Sequence, residues 1–171
     1  MKNPFRKLAD AVRVLARGGR DDDGVLKPGD PLPVVAQRNH DGVPVDLHGS
    51  DDGWLLVYFY PKADTPGCTR QACSLRDAFA ELVALGVRVV GVSSDAPAAQ
   101  KAFREKHRLP FELLADEDGR VMAAFGVPRV LGFAIRQAFL FKDGILVWRD
   151  LSASTARQAD DVRAAIAGQP V

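Results

Sequence analysis

At 171 residues, with 47% hydrophobic and 26% charged side chains and a formal net charge of +1, the chain has the composition of an ordinary globular domain. A charge this close to zero does not point to nucleic acid, and no apolar run is long enough to span a bilayer. Two cysteines do not make a disulfide scaffold. His40, His48 and His107 are scattered and read as incidental polar residues, so no metal site and no cofactor is expected.

The first segment, MKNPFRKLADAVRVLARGG, predicts a helix capped by Asn3, begun by Pro4 and stopped by Gly18 and Gly19. Phe5, Leu8, Val12 and Leu15 share one face, and Lys2, Arg6, Lys7, Arg13 and Arg17 lie largely off it. Charges interrupt every apolar run, so this is not a secretory signal, and the cytoplasm is the expected compartment. Such a helix docks on its own domain or a partner, with weak contact to an anionic membrane surface as the alternative. With the linker RDDDG it forms an appendage, residues 1–24, to a domain over 25–171. Val34–Gln37 and Val43–Leu47 then flank Asn39-His40-Asp41-Gly42, a turn signal that predicts an N-terminal β-hairpin.

Trp54–Tyr60 (WLLVYFY) is a continuous apolar run, the pattern of a strand buried on both faces. Pro61 ends it. Thr65 and Pro66 carry the signature of a helix N-cap with proline at the first helical position, predicting a helix from Pro66 to Leu85 stopped by Gly86. Leu75, Phe79 and Leu82 mark its core face. The helix holds both cysteines. Cys68 falls in the first turn, where free backbone amides and the helix dipole favour a thiolate. Lowering a thiol pKa from about 8.5 to about 6 takes roughly 3.4 kcal/mol. A helix end supplies about 0.3–1 kcal/mol, or about 2 when partly buried. A second positive charge is therefore expected, most suitably an arginine, and spacing alone does not select which.

Cys73 poses a geometric problem. In an unbroken helix, residues five apart are rotated by about 140° with Cα atoms roughly 8.6 Å apart, whereas a disulfide wants less than about 7 Å. Reaction between the two cysteines requires the first turns of the helix to unwind.

Val87–Ser93 (VRVVGVS) predicts the next buried strand. Strand, helix and strand in this order make a right-handed crossover, which places Cys68 at the carboxyl end of a strand, where α/β sheets bind ligands. Asp95 and Pro97 begin a helix ending near His107. Phe111–Leu114 reads as a strand and Glu117–Phe125 as a short helix. Gln137–Phe141 and Ile145–Arg149 form a hairpin around Lys142-Asp143-Gly144, and Ser154 or Thr155 caps a last helix ending near Gly168. The sum is an α/β chain, a thioredoxin-like fold with a central mixed sheet flanked by helices, an N-terminal β-hairpin and an extra N-terminal amphipathic helix.

Pro61, Thr65 and Cys68 stand in the spacing P-x-x-x-T-x-x-C. With the longer string YFYPKADTPGCTRQAC, the chain resembles the peroxiredoxins, specifically the bacterioferritin-comigratory or Q-type subfamily, from about Gly29 to about Gly168. The resemblance implies a thiol peroxidase: Cys68 attacks a hydroperoxide and becomes a sulfenic acid, and Cys73 condenses with it to an intramolecular disulfide. A thioredoxin-like dithiol then reduces that disulfide. It further implies that the Thr65 hydroxyl touches thiolate and peroxide, that Pro61 shields the site from water, and that Arg136 stabilises thiolate and transition state. The backbone around Gly67 and Cys68 would complete the anion site. Gln71 stands where the family usually has a glutamate holding the arginine, so charge assistance is absent there. The stretch Gly126–Ile135 is shorter than the usual family loop.

Two other function classes remain open. One is a redox sensor or thiol-disulfide exchange protein acting on protein partners, although a C-x-x-C pair rather than C-x4-C would favour exchange. The other is a partner- or membrane-binding module working through the N-terminal helix. An intramolecular disulfide needs no second chain, so a monomer is expected.

Overall fold

The computed structural model describes residues 24–49 and 53–169. The helix expected over residues 1–19 and most of the linker after it lie outside them. The described chain begins with two short strands, β1 (Gln37–Arg38) and β2 (Pro44–Val45), which pair antiparallel. β3 (Trp54–Phe59) leads into α1 (Pro66–Asp77), α2 (Phe79–Ala84) and β4 (Val87–Ser93). Then come α3 (Pro97–Lys106), β5 (Glu112–Ala115) and α4 (Arg120–Phe125). A small hairpin, β6 (Arg129–Val130) and β7 (Phe133–Ala134), precedes β8 (Gln137–Lys142), β9 (Ile145–Asp150) and α5 (Gln158–Ala167).

The central sheet has the order β5-β4-β3-β8-β9. β3, β4 and β5 run parallel, and β8 and β9 are antiparallel additions beside β3. This is the mixed sheet of a thioredoxin-like fold. Strand alternation divides its core in two. Leu55, Val57 and Phe59 enter one cluster with α4 and the segment around Val25 and Leu26, in which the Phe59 and Phe125 rings meet edge to face at 5.2 Å. Leu56, Tyr58 and Tyr60 enter the other, with Cys68, Ala72 and Leu75 of α1, Phe103 of α3, and Ala159 and Val162 of α5. The apolar face of α1 thus presses Cys68 against the carboxyl end of β3.

Several elements differ from the sequence reading. The single helix expected over Pro66–Leu85 is broken at Ala78, whose φ of −94° and ψ of 5° leave the helical region. Neither proline nor glycine causes this; α1 packs against α5 whereas α2 packs against β4, and one straight axis does not serve both. The N-terminal pair is shorter than expected because Asn39 and His40 turn to the sheet edge. The His40 N–H donates to Leu113 O at 2.9 Å, and the Asn39 side chain accepts from the Asp41 and Val43 N–H groups.

Helix α4 begins at Arg120, not Glu117. The buried Asp116 carboxylate takes the Val121 and Met122 N–H groups, each at 2.9 Å, and the residues between loop through a left-handed Gly119. Ser154 caps a turn rather than α5 itself, accepting from the Ala156 and Arg157 N–H groups one turn before Gln158. The β6–β7 hairpin lies within Gly126–Ile135, where the sequence reading places no element.

Gly126 ends α4 in the left-handed conformation (φ 74°), and a Cβ there would collide with the Gly24 carbonyl group. Gly144 has φ 77° but open space around it. Gly144→Ala is expected to cost about 1–2 kcal/mol for its backbone conformation alone. Gly126→Ala should cost clearly more, because the Gly24 backbone must also move. Urea unfolding of the two variants checks this, and equal losses would count against the close approach.

Candidate active site

The site forms where β3 ends. After Tyr60, Pro61 turns the chain off the sheet and the loop 61–65 crosses to α1. Two anchors hold this loop. The Ala63 N–H donates to Asp95 Oδ2 at 2.7 Å, and the same oxygen accepts from Ser93 Oγ at 2.7 Å. Behind them, Gln100 Nε2 donates to Ser93 Oγ and to Leu114 O, each at 2.8 Å, and Gln100 Oε1 accepts from the Tyr60 hydroxyl. Burial pushes the Tyr60 phenol far above its ordinary value, so it remains a hydrogen-bond donor. The second anchor is Asp64, with φ 59°, a left-handed conformation in which aspartate is enriched. Its carboxylate meets His107 Nε2 at 2.7 Å and Lys106 Nζ at 2.6 Å. Both partners hold that carboxyl below the usual carboxylate range, so the clamp persists at neutral pH and is lost only as pH falls through the lowered value.

Thr65 takes the N-cap position of α1, and Pro66 opens the helix. Its hydroxyl, however, does not cap: Thr65 Oγ1 donates to Lys62 O at 2.9 Å. The first intrahelical bond runs from the Thr69 N–H to Thr65 O at 2.8 Å, leaving the Gly67 and Cys68 amides ahead of it at the positive end of the helix. Cys68 is 2% exposed, and Cys73 is half-buried on the same helix; both are free thiols. With α1 continuous through both, the pair has the helical separation that precludes a disulfide in this conformation.

The positive charge that the helix end required is Arg136, between β7 and β8. Its Nη2 lies 3.4 Å from Cys68 Sγ, and its Nη1 donates to Gln71 Oε1. One guanidinium therefore spans the sulfur and the residue one turn further along α1. Gly67 makes this fit: a Cβ there would stand 3.2 Å from Arg136 Nη2.

The structure thus brings Cys68, Arg136, Gln71 and Gly67 together, with Thr65 and Pro61 on the adjoining loop. Sequence reading missed the groups that support them. Gln158, at the start of α5, is fully buried and accepts from Gln71 Nε2 at 2.7 Å. Nothing in a helical pattern marks a glutamine as buried, and only the three-dimensional pairing reveals it. Asp64 carried a weak signal, as an aspartate in a turn before a helix. Among the described residues, no three His, Cys, Asp or Glu side chains converge as a metal site would need.

Residues 28–149 match the model of the AhpC/TSA family. Peroxiredoxin Bcp of Escherichia coli strain K12 is 50% identical over 102 residues, which are 60% of this chain and 65% of that protein. The chloroplastic peroxiredoxin Q of Oryza sativa subsp. japonica is 38% identical over 126 residues, 72% of this chain and 58% of that protein. The matched region thus covers less than two thirds of either curated relative. Among solved structures, the peroxidoxin BcpB of Mycobacterium tuberculosis superposes with a TM-score of 0.79 at 32% identity, over 85% of this chain and 99% of that one. Peroxiredoxin Q of Xanthomonas campestris gives 0.71 at 30% identity, over 78% and 90%. With a buried thiol at a helix N-terminus, an arginine on its sulfur and these likenesses, the chain belongs to the AhpC/TSA family and within it to the Bcp and Q-type peroxiredoxins.

Proposed function

We propose that the chain is a thiol-dependent peroxidase that reduces hydrogen peroxide and organic hydroperoxides. The observation that carries this reading is the Arg136 guanidinium, 3.4 Å from a Cys68 sulfur that is 2% exposed. A cation and a helix end together favour a thiolate and an anionic transition state, and they offset the cost of placing that charge in a site with little water.

The Cys68 thiolate attacks the terminal oxygen of the hydroperoxide. The O–O bond breaks, the sulfur is oxidised to a sulfenic acid, and the leaving alkoxide or hydroxide takes a proton and departs as alcohol or water. The Gly67 and Cys68 amides and Arg136 face the oxygen on which charge develops. The Thr65 hydroxyl must swing from the Lys62 carbonyl to reach that oxygen, and Pro61 limits water at the mouth. Unwinding of α1 then lets the Cys73 sulfur attack the sulfenic sulfur, expelling water and closing the disulfide. A thioredoxin-like dithiol returns the two electrons.

Resolution within one chain suits a monomer. No helix among the described residues is long and apolar enough to cross a membrane, and the cytoplasm is the compartment we assign. A thiol-disulfide exchange protein would need its reactive sulfur open to a partner's disulfide. The near-complete burial of Cys68 favours a small peroxide instead.

The first test is the intact mass and free-thiol count of the reduced protein within seconds of one equivalent of hydrogen peroxide. Both thiols and two hydrogens should be lost, without dimerisation; two thiols remaining would remove the peroxidase reading for this substrate. Cys68→Ser should abolish turnover. Cys73→Ser should retain one rapid oxidation and lose recycling by thioredoxin. Equal, complete loss of the first oxidation in both variants would contradict the assigned roles.

Arg136→Lys tests the cation. A lysine head is compact and does not span Cys68 and Gln71 with separate nitrogens as the guanidinium does. Losing a charge-assisted bond of about 1.5–3 kcal/mol should slow the first oxidation by about 10- to 100-fold. The pH profile of Cys68 alkylation should also move to higher pH. Unchanged values of both would return the choice to the other arginines.

A further inference from the structure

Gln71 bridges two neighbours. Arginine has no acceptor, so Gln71 must turn its carbonyl to Arg136, where Nη1 donates to Oε1. Its amide nitrogen then faces Gln158, and Gln158 must present its own carbonyl, at 2.7 Å. Each amide orientation in this row is dictated by the one before it. The row ends with a cost: Gln158 Nε2 is buried with no hydrogen-bond partner. An unsatisfied buried donor is destabilising, and an apolar side chain at the start of α5 would avoid that cost.

The surrounding segment converges on the same place. The Ala153 N–H donates to Arg136 O at 3.3 Å, and the Ala159 N–H to Ser74 Oγ at 3.3 Å. A Cβ on Gly67 would lie 3.6 Å from the Thr155 methyl group. The stretch 153–159 therefore backs the Arg136 main chain, the first turn of α1 and the side chain of Gln71.

We infer that Gln158 is a positioning residue: by accepting from Gln71, it fixes the amide whose carbonyl holds the Arg136 guanidinium on Cys68. The inference rests on Cys68 as the reacting thiol of the preceding reading. Without the Gln158 acceptor, the Gln71 amide is held by Arg136 alone, and the carbonyl that receives the guanidinium is no longer fixed in place from its other end. The sulfur contact loosens although neither Cys68 nor Arg136 has changed.

Gln158→Met tests this, since methionine keeps length and approximate volume, lacks a good acceptor and removes the unpaired amide nitrogen. Gln158→Asn is the second variant; it keeps the amide but withdraws it by one methylene. In either, alkylation of Cys68 by iodoacetamide at pH 7 should slow by about 3- to 10-fold, the effect of losing one hydrogen bond. The rate–pH profile should shift to higher pH, with the far-ultraviolet circular dichroism unchanged.

The same substitution is then made in a Gln71→Met background, where Gln158 has nothing to orient. There it should have no further effect. A Gln158→Met and Gln158→Asn pair that alkylates as the unsubstituted chain does would overturn the proposal, as would an equal loss in both backgrounds. Alkylation needs no peroxide, so failure of the peroxidase reading registers separately, as absence of turnover in the unsubstituted chain.

Discussion

The contact between the Arg136 guanidinium and the Cys68 sulfur is the interaction on which the site depends. A sulfur 2% exposed has little water to solvate a negative charge, so ionisation must be supported by fixed groups. The helix end supplies part of that support and is tied to Cys68 by the backbone. The arginine brings a positive charge to the sulfur from 68 positions away in sequence, and its aim has to be built by tertiary structure. Gln71 serves that aim in a particular way. A carboxylate at this position would hold the guanidinium more strongly but would also offset its charge. A neutral amide orients it while leaving the full positive charge facing the sulfur.

The approach to α1 is fixed by polar groups as well. Asp95 takes the Ala63 amide, and Ser93, Gln100 and Tyr60 form a hydrogen-bonded row behind it that reaches the end of β5. A buried polar row with its members paired rigidifies what it touches. Here it ties the loop that launches α1 to β4 and β5. On the outer side, Asp64 accepts a left-handed backbone and is held by His107 and Lys106. Position and direction of the first helical turn, and hence of Cys68, follow from these two anchors.

Much of this was legible in the sequence where the signal is local. The apolar runs of β3 and β4, the Pro66 start of α1 and the hairpin of β8 and β9 follow from period, punctuation and turn chemistry. So did the expectation that a helix end alone would not suffice and that a second positive charge, most suitably an arginine, would join it. The choice of Arg136 came from family resemblance, because no periodicity links residue 136 to residue 68. What escaped the sequence shares one physical character: a polar side chain whose partner is remote. Gln158 lies in an amphipathic helix where glutamine ordinarily faces water, and Asp116 caps a helix five residues away. The break at Ala78 was invisible for the converse reason, since alanine is the best helix former and only packing on two different neighbours interrupts it.

Gln71 also lies between the two cysteines on α1. The helical form that sets Arg136 on the Cys68 sulfur is the same form in which Cys73 is too distant to bond. Any unwinding that carries Cys73 to Cys68 must withdraw Gln71 from both Arg136 and Gln158. Ser74 would likewise leave the Ala159 amide. In the proposed cycle, the bonds that hold the arginine on the thiol are therefore bonds that would oppose its resolution by Cys73, and the two steps would not be optimised together. On that proposal, tightening this row would favour the first oxidation but prolong the life of the sulfenic acid, exposing it to a second peroxide. Loosening it would do the reverse. The neutral Gln71 amide is a weaker tie to the guanidinium than a carboxylate would make, and the unpaired amide nitrogen of Gln158 ends the row without a further anchor, so in the proposed cycle the row would yield more readily to unwinding.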